Sequence, residues 1–435
     1  MTDDALLHDP TVELTRELIR FDTSNYGEGK SKGETECAEF LAARFEKLGL
    51  TIDMFESAPR RTSFVTRIEG TDRSKPALVV HGHTDVVPAD PAQWSVDPFE
   101  AVVKDGCVWG RGAVDMKNMD AMIVTAIEEI FANGQRPSRD LIVAMFADEE
   151  NGGQFGSHYA VRERPELFKG ATTAISEVGG YSVTIGDERA YLVQTGEKAM
   201  LWIKLRVHKP AGHGSRVVPA EQNAISTLAR AIARLAEHEW PIMLNDTTER
   251  MVRELAELLK MDPSDPQKIA ENSGKAAGFL TASLRTTSNP TMLQAGYKHN
   301  VIPEEATVAI DVRPFPGKED EILREIQQIV GDEVEIEVSW RDVGAEAPAS
   351  GPLFDAAVTA LRKHDPGARV IPYFLSAGTD NKALSKLGIH GYGFAPLKLP
   401  AELDFPGMFH GIDERVPLDA LVFGRHVLRD FLLEY

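Results

Sequence analysis

Cysteine is almost missing from this chain: Cys37 and Cys107 are the only two in 435 residues. That excludes a disulfide-stapled scaffold and a zinc module built on cysteines. Positive charge is also scarce, with 47 Lys and Arg against 67 Asp and Glu, a formal net charge of −20. A surface of that sign repels phosphate backbones, so no nucleic-acid partner is expected. The cleanest apolar run, Leu141 to Ala147, has the length of a strand and falls far short of a bilayer, so no membrane partner is expected. The opening MTDDALLHDP is acidic and lacks the basic and apolar regions of a secretory signal, which predicts a cytoplasmic protein. There is no G-x-S-x-G elbow and no P-loop, and Gly110-Arg111-Gly112 lacks the third glycine of a dinucleotide fingerprint. What the chain does have is 43% apolar residues, enough for a large core.

The first third alternates between the two periodicities. Leu14, Leu18 and Phe21 recur at helical spacing, as do Cys37, Leu41, Phe45 and Leu48, the second set stopping at Gly49. Thr51 to Phe55, Ser63 to Ile68, Ala77 to Val80, Leu141 to Ala147 and Thr172 to Ile175 read as strands, and Met119 to Phe131 as a helix. Such alternation predicts an α/β layer with a mainly parallel central sheet. The pattern changes near Gly196. Met200 to Val207 alternates like a half-exposed strand, a long amphipathic helix is expected from Pro219 to Glu239, and residues 307–338 read strand, helix, strand. Helix–strand alternation returns after Gly344 to Pro352 and ends in a helix from Leu418. The expected organisation is a discontinuous α/β domain, 1–195 plus 345–435, carrying an inserted α+β module at 196–344.

In open α/β sheets ligands gather beyond the carboxyl ends of strands. His83-Thr84-Asp85 follows one strand, Asp148-Glu149-Glu150 another and Glu177 a third; Asp115 precedes a helix, and His410 lies in a loop between the last strand and the last helix. Each has a plainer reading when taken alone. An isolated H-x-D is usually a polar-loop histidine, Asp115 alone would be an N-cap, and adjacent acids usually form a solvated face. Together they place oxygen and nitrogen donors, without cysteine, at several strand ends. That donor set suits a catalytic zinc, cobalt or manganese site, which could hold two ions with a carboxylate between them.

His83-Thr84-Asp85-Val86-Val87-Pro88, Gly110-Arg111-Gly112 through Asp115-Met116-Lys117, Asp148-Glu149-Glu150 and His410-Gly411 resemble, in order and spacing, the di-zinc metallopeptidase family of aminoacylase, carboxypeptidase, acetylornithine deacetylase and succinyl-diaminopimelate desuccinylase. Leu284 to Thr287 and Gly296-Tyr297-Lys298 extend the likeness toward the carboxypeptidase S and N-acyl-amino-acid hydrolase branch. The resemblance implies two Zn²⁺ per chain, with Co²⁺ or Mn²⁺ as substitutes. His83, Asp115 and Glu177 would hold one, and Asp115, Glu150 and His410 the other. It implies that Glu149 is the general base, that Asp85 orients His83, and that His213 in Ala211-Gly212-His213-Gly214-Ser215 crosses a dimer to stabilise an oxyanion. Asn300, Arg313, Gly378 and Thr379 fall at substrate-holding positions. Lys382 stands near a place where the family often has arginine, and lysine cannot make a bidentate clamp. The implied protein is a hydrolase of the amide bond in an N-acyl amino acid or short peptide near a free carboxylate, and a homodimer through the inserted module. Two alternatives are a biosynthetic deacylase acting on acetylornithine or succinyl-diaminopimelate, and a metal-binding scaffold without catalysis. The presence of Glu149 with all five ligands argues against the scaffold.

Overall fold

The computed structural model describes residues 3–27 and 30–435, so the first two residues of the acidic amino-terminal stretch lie outside it. Its large sheet runs, in spatial order, Ile52–Ala58, Arg61–Ile68, Leu141–Phe146, Ala77–His83, Ala171–Ser176, His390–Gly393, Glu188–Glu197 and Ala345–Glu346, with Arg369–Leu375 and Ser182–Ile185 also paired to Glu188–Glu197. The four central strands are mutually parallel and are flanked on both sides by antiparallel pairings, while Arg369–Leu375 runs parallel to Glu188–Glu197. Leu141–Phe146 and Ala77–His83 are buried along their whole length, as expected of strands covered on both faces. Helices Pro10–Ile19, Thr35–Lys47, Lys117–Ala132, Pro352–His364 and Leu418–Glu434 contribute to the covering core.

A second sheet, Thr287–Ala295, Glu305–Arg313, Met200–His208 and Glu335–Asp342 in that order, is antiparallel throughout. Leu201, Ile203, Leu205 and Val207 alternate inward as the sequence predicts, and helices Ala224–Glu237 and Glu319–Val330 cover that face to form a separate core. The expected helix from Pro219 starts later. Asn223 is extended, and its side chain accepts from the backbone of Ile225 (3.0 Å) and Ser226 (3.2 Å), so the helix begins at Ala224 and residues 220–222 form one 3₁₀ turn.

Residues 246–284 depart from expectation more substantially. Met251, Leu255, Ile269, Leu280 and Leu284, from the stretch read as part of the insert, are buried in the core of the large sheet. An amphipathic pattern announces that one face will be buried, not against what. Among the described residues no helix is long and apolar enough to cross a membrane.

Candidate metal centre and active site

The parallel register fixes the centre. His83 pairs with Phe146 and Val80 with Ile175, so the chain leaves the sheet at adjacent points carrying His83, the 148–150 segment and Glu177. Asp115 joins them from the turn before Lys117–Ala132. It is not the helix cap: Met116 occupies that position, and the Asp115 carboxylate turns to the histidines instead. His83 Nε2 lies 3.0 Å from Asp115 Oδ1 and 3.6 Å from Glu177 Oε2. His410 Nε2 lies 3.3 Å from Asp115 Oδ2 and 3.1 Å from Glu150 Oε2. Asp115 thus presents one oxygen to each side. Each of His83, Glu149 and Glu177 offers a ligand atom within 4.8 Å of the other two, and so do His83, Asp115 and Glu150. A short strand, Arg415–Pro417, intervenes between His410 and the last helix, so His410 precedes the last strand instead of following it.

The electrostatics are those of a site short of positive charge. Burial pushes the carboxyls of Glu177 and Glu149 well above the carboxylate range, reinforced by Asp115 and by Glu177 respectively. Burial acts the same way on Asp115, but His410 and His83 outweigh it and hold that carboxyl below the usual value. Burial disfavours a charged His83, yet Glu177, Asp115 and Asp85 raise its pKa. His410 is pushed up to about 11 by Asp115 and Glu150. Glu150 Oε1 is buried and has no hydrogen-bond partner among the described residues. Four carboxyl groups facing two imidazoles, with an orphaned oxygen among them, fit divalent cations.

Asp85 differs in detail from its expected role. The ring Nδ1 of His83 meets the backbone carbonyl of Asp85 at 3.0 Å, while the carboxylate is 3.6 Å away. That carboxylate instead accepts from the backbone N–H groups of Glu149 (3.1 Å) and Glu150 (3.2 Å) and from Asn25 Nδ2 (2.8 Å). It therefore holds the turn that aims both glutamates. Asn25 also reaches Asp148 Oδ1 (3.2 Å), and Arg61 binds the Asn25 amide oxygen (2.8 Å), Asp148 (3.1 Å) and Glu34. Asp148 sits at φ +67°, a left-handed conformation, and its other oxygen accepts from Phe155 N–H at 3.0 Å. This buried network was not singled out from sequence. Nothing in the residues near Arg61 signals it, because its partners are distant in the chain.

Two cavities meet at Glu149. The larger, about 470 Å³, is walled by Val178, Tyr181, Phe279, Leu375 and Phe409, and its lining also includes Asp115, Glu177, His410, Asp311 and Arg313. The smaller, about 210 Å³, lies between the two sheets and is lined by Trp202, His158, Asp342, Thr379 and Lys382 among others. The small module approaches closely here: a Cβ on Gly152, whose φ is +83°, would lie 3.2 Å from Trp340 Cζ2. Arg313 lines both cavities; Asp311 clamps it through Nε (2.7 Å) and Nη2 (3.0 Å), leaving Nη1 without a partner among the described residues. Gly378 also borders both, whereas Thr379 is tied to Glu197 through its hydroxyl (2.6 Å) and N–H (2.9 Å). Lys382 is buried, and its ammonium donates to the Lys198 carbonyl at 2.7 Å, so it stabilises backbone. His213 and Asn300 are not brought to the centre within the chain. His213 lies on a two-stranded ribbon, Gly212–His213 against Val301–Ile302, and Asn300 immediately precedes its second strand; His213 Nδ1 meets Ser215 Oγ at 2.8 Å and the Asn300 carbonyl accepts from Gly214 at 2.9 Å.

A model of Peptidase family M20/M25/M40 matches residues 79–434. The chain belongs to that family. The M20/M25/M40 relatives include the Xenopus tropicalis N-fatty-acyl-amino acid synthase/hydrolase PM20D1, 27% identical over 94% of this chain and 83% of the relative. The Dictyostelium discoideum probable carboxypeptidase S-like 2 is also 27% identical, over 94% of this chain and 82% of the relative. Among solved M20 structures, the metallo-carboxypeptidase Sso-CP2 from Sulfolobus solfataricus superposes with a TM-score of 0.74 at 19% identity, covering 98% of both chains, which shows the fold. The family and the branch read from the motifs are both borne out.

Proposed function

We propose that this chain is a metal-dependent hydrolase of N-acyl amino acids whose acyl group is apolar, with short peptides carrying an apolar residue as the related substrates. The observation that carries this reading is the placement of the carboxylate–imidazole cluster on the wall of an apolar cavity that also holds an arginine. In this reading His83, Asp115 and Glu177 hold one zinc, and Asp115, Glu150 and His410 a second, with cobalt or manganese able to replace them. The chemistry the ions supply when bound is Lewis acidity, which lowers the pKa of water and polarises a carbonyl. Glu149, whose carboxylate borders both cavities and has no hydrogen-bond partner among the described residues, takes the proton of the attacking water and returns it to the leaving amine. Arg313, oriented by Asp311, offers Nη1 to the substrate carboxylate. The aromatic wall of Tyr181, Phe279 and Phe409 excludes water from the scissile amide and receives the acyl chain.

The test is a hydrolysis screen of metal-loaded protein against N-acyl amino acids of increasing chain length, dipeptides, N-acetylornithine and N-succinyl-diaminopimelate. Burial of four methylenes at about 0.8 kcal/mol each amounts to about two orders of magnitude in kcat/KM. Medium-chain acyl substrates are therefore expected to lead the two biosynthetic ones by about that margin. The reverse order would overturn the reading.

The proposed domain division assigns 1–195 and 345–435 to the catalytic body and 196–344 to a lid and dimerisation module, except that 246–284 pack with the body. A homodimer through this module is supported by the outer strand Thr287–Ala295, where Met292 and Leu293 are each 65% exposed, and by Ile225, exposed on the neighbouring helix. In such a dimer His213 of one chain completes the other chain's site. Mixing inactive His213→Ala and Glu149→Gln chains then gives hybrids with one intact site, about a quarter of all sites after random exchange. Activity near that fraction is expected; none after proven subunit exchange would place His213 outside the reaction.

A further inference from the structure

Glu188–Glu197 ends where the chain leaves the large sheet for the small one, and its last residue and the next are two consecutive, fully buried charged side chains, Glu197 and Lys198. Successive residues of extended chain point to opposite faces, so two neighbours can reach two different walls. Glu197 accepts from the N–H (2.9 Å) and hydroxyl (2.6 Å) of Thr379, fixing the 375–379 loop that contributes Leu375 and Gly378 to the apolar cavity. Lys198 goes the other way: its ammonium donates to the carbonyls of Ala282 and Arg285, at and just beyond the end of helix Ala277–Ala282. That helix supplies Phe279 and Ala282 to the same cavity. The backbone between the two walls is held as well, since Lys198 N–H donates to Leu375 (2.9 Å) and Ala199 N–H to Pro314 (2.8 Å), beside Arg313.

A lysine whose donors go to helix-terminal carbonyls is the charge complement of a helix end. Among the described residues its ammonium donates to these carbonyls and to no acidic side chain, so its buried position is not explained by an ion pair. We infer that Lys198 is a positioning residue that sets the width of the apolar cavity, by anchoring the helix bearing Phe279 to the junction between the two sheets, and thereby governs which acyl lengths are accepted. The inference rests on the reading of that cavity as the acyl site.

The experiment compares wild-type protein with Lys198→Met, which keeps the aliphatic stem and removes the donors, and Lys198→Gln, which keeps a neutral donor. Two readouts are taken: amide hydrogen exchange over 277–285, and kcat and KM for N-acyl amino acids from acetyl to dodecanoyl. In Lys198→Met, exchange over 277–285 should accelerate about tenfold or more while the strands of the large sheet stay protected. KM for the preferred acyl length should rise about tenfold, kcat on the acetyl substrate should change less than about twofold, and the length preference should flatten. Lys198→Gln should fall between. Unchanged exchange, or an equal loss of kcat/KM at every chain length, would overturn the inference. If Lys198→Met fails to fold, the Gln variant is read by the same criteria. If the wild-type protein hydrolyses none of the panel, the proposed function falls, and the exchange measurement alone decides whether Lys198 anchors the helix.

Discussion

Glu149→Gln is expected to lower kcat by about 10²–10⁴-fold while leaving bound metal near the wild-type level. The amide keeps the shape and cannot take a proton. The contrast is with Glu150→Gln. Glu150 faces His410 at 3.1 Å and has a buried oxygen with no hydrogen-bond partner among the described residues, so its replacement should lose metal together with activity. The pair is informative because proximity does not separate the two residues: Glu149 lies within ligand distance of His83 and Glu177, just as Glu150 does of His83 and Asp115. What separates them is that Glu149 borders both cavities and Glu150 only the smaller, and that Glu150 is paired with His410. Metal analysis of both variants beside their turnover checks the assignment, and metal loss confined to Glu149→Gln would exchange the roles.

The second large effect is expected at Glu177. Glu177→Gln should abolish tight binding of one ion and, with it, turnover. Its effect on stability should depend on metal. In the presence of zinc the wild-type protein gains about 3 kcal/mol for a site filled at a hundred times its dissociation constant, and the variant forgoes this. In chelator the order should close up or invert. Glu177 is then an acid buried beside Asp115, and a neutral amide relieves that repulsion. Melting curves of both proteins, with zinc and with chelator, provide the measurement. A variant equally destabilised under both conditions would mean that Glu177 is structural and not a ligand.

Much of this centre was legible in the sequence because its donors follow short apolar runs. Those runs can be read as buried strands, and the ends of parallel strands in one sheet necessarily lie together. His83, Glu149, Glu150 and Glu177 were accessible in that way, and Asp115 and His410 through their motifs. The network of Arg61, Asn25 and Asp148 was not, since hydrogen bonds between distant side chains leave no periodicity. The hairpin of Ser182–Ile185 and Glu188–Glu197 has a short local signal: Gly186-Asp187 stands between two strand-like runs, and Gly186 adopts φ +60°. The apolar cavity was hidden for another reason. Phe279 comes from a helix that the sequence order assigns to one module and packing assigns to the other.

That crossing helix segment changes what can be cut from the gene. A clean insert joins its host by two threads and can be deleted by splicing its ends. Here the polypeptide passes between the two cores four times, near 197–200, 240–246, 284–287 and 342–345. Excising 196–344 would strip Met251, Leu255, Ile269, Leu280 and Leu284 from the larger core, each a vacancy of about 2–5 kcal/mol in a molecule with little to spare. A minimal catalytic body has to retain 246–284, rejoined at both ends to the sheet it covers.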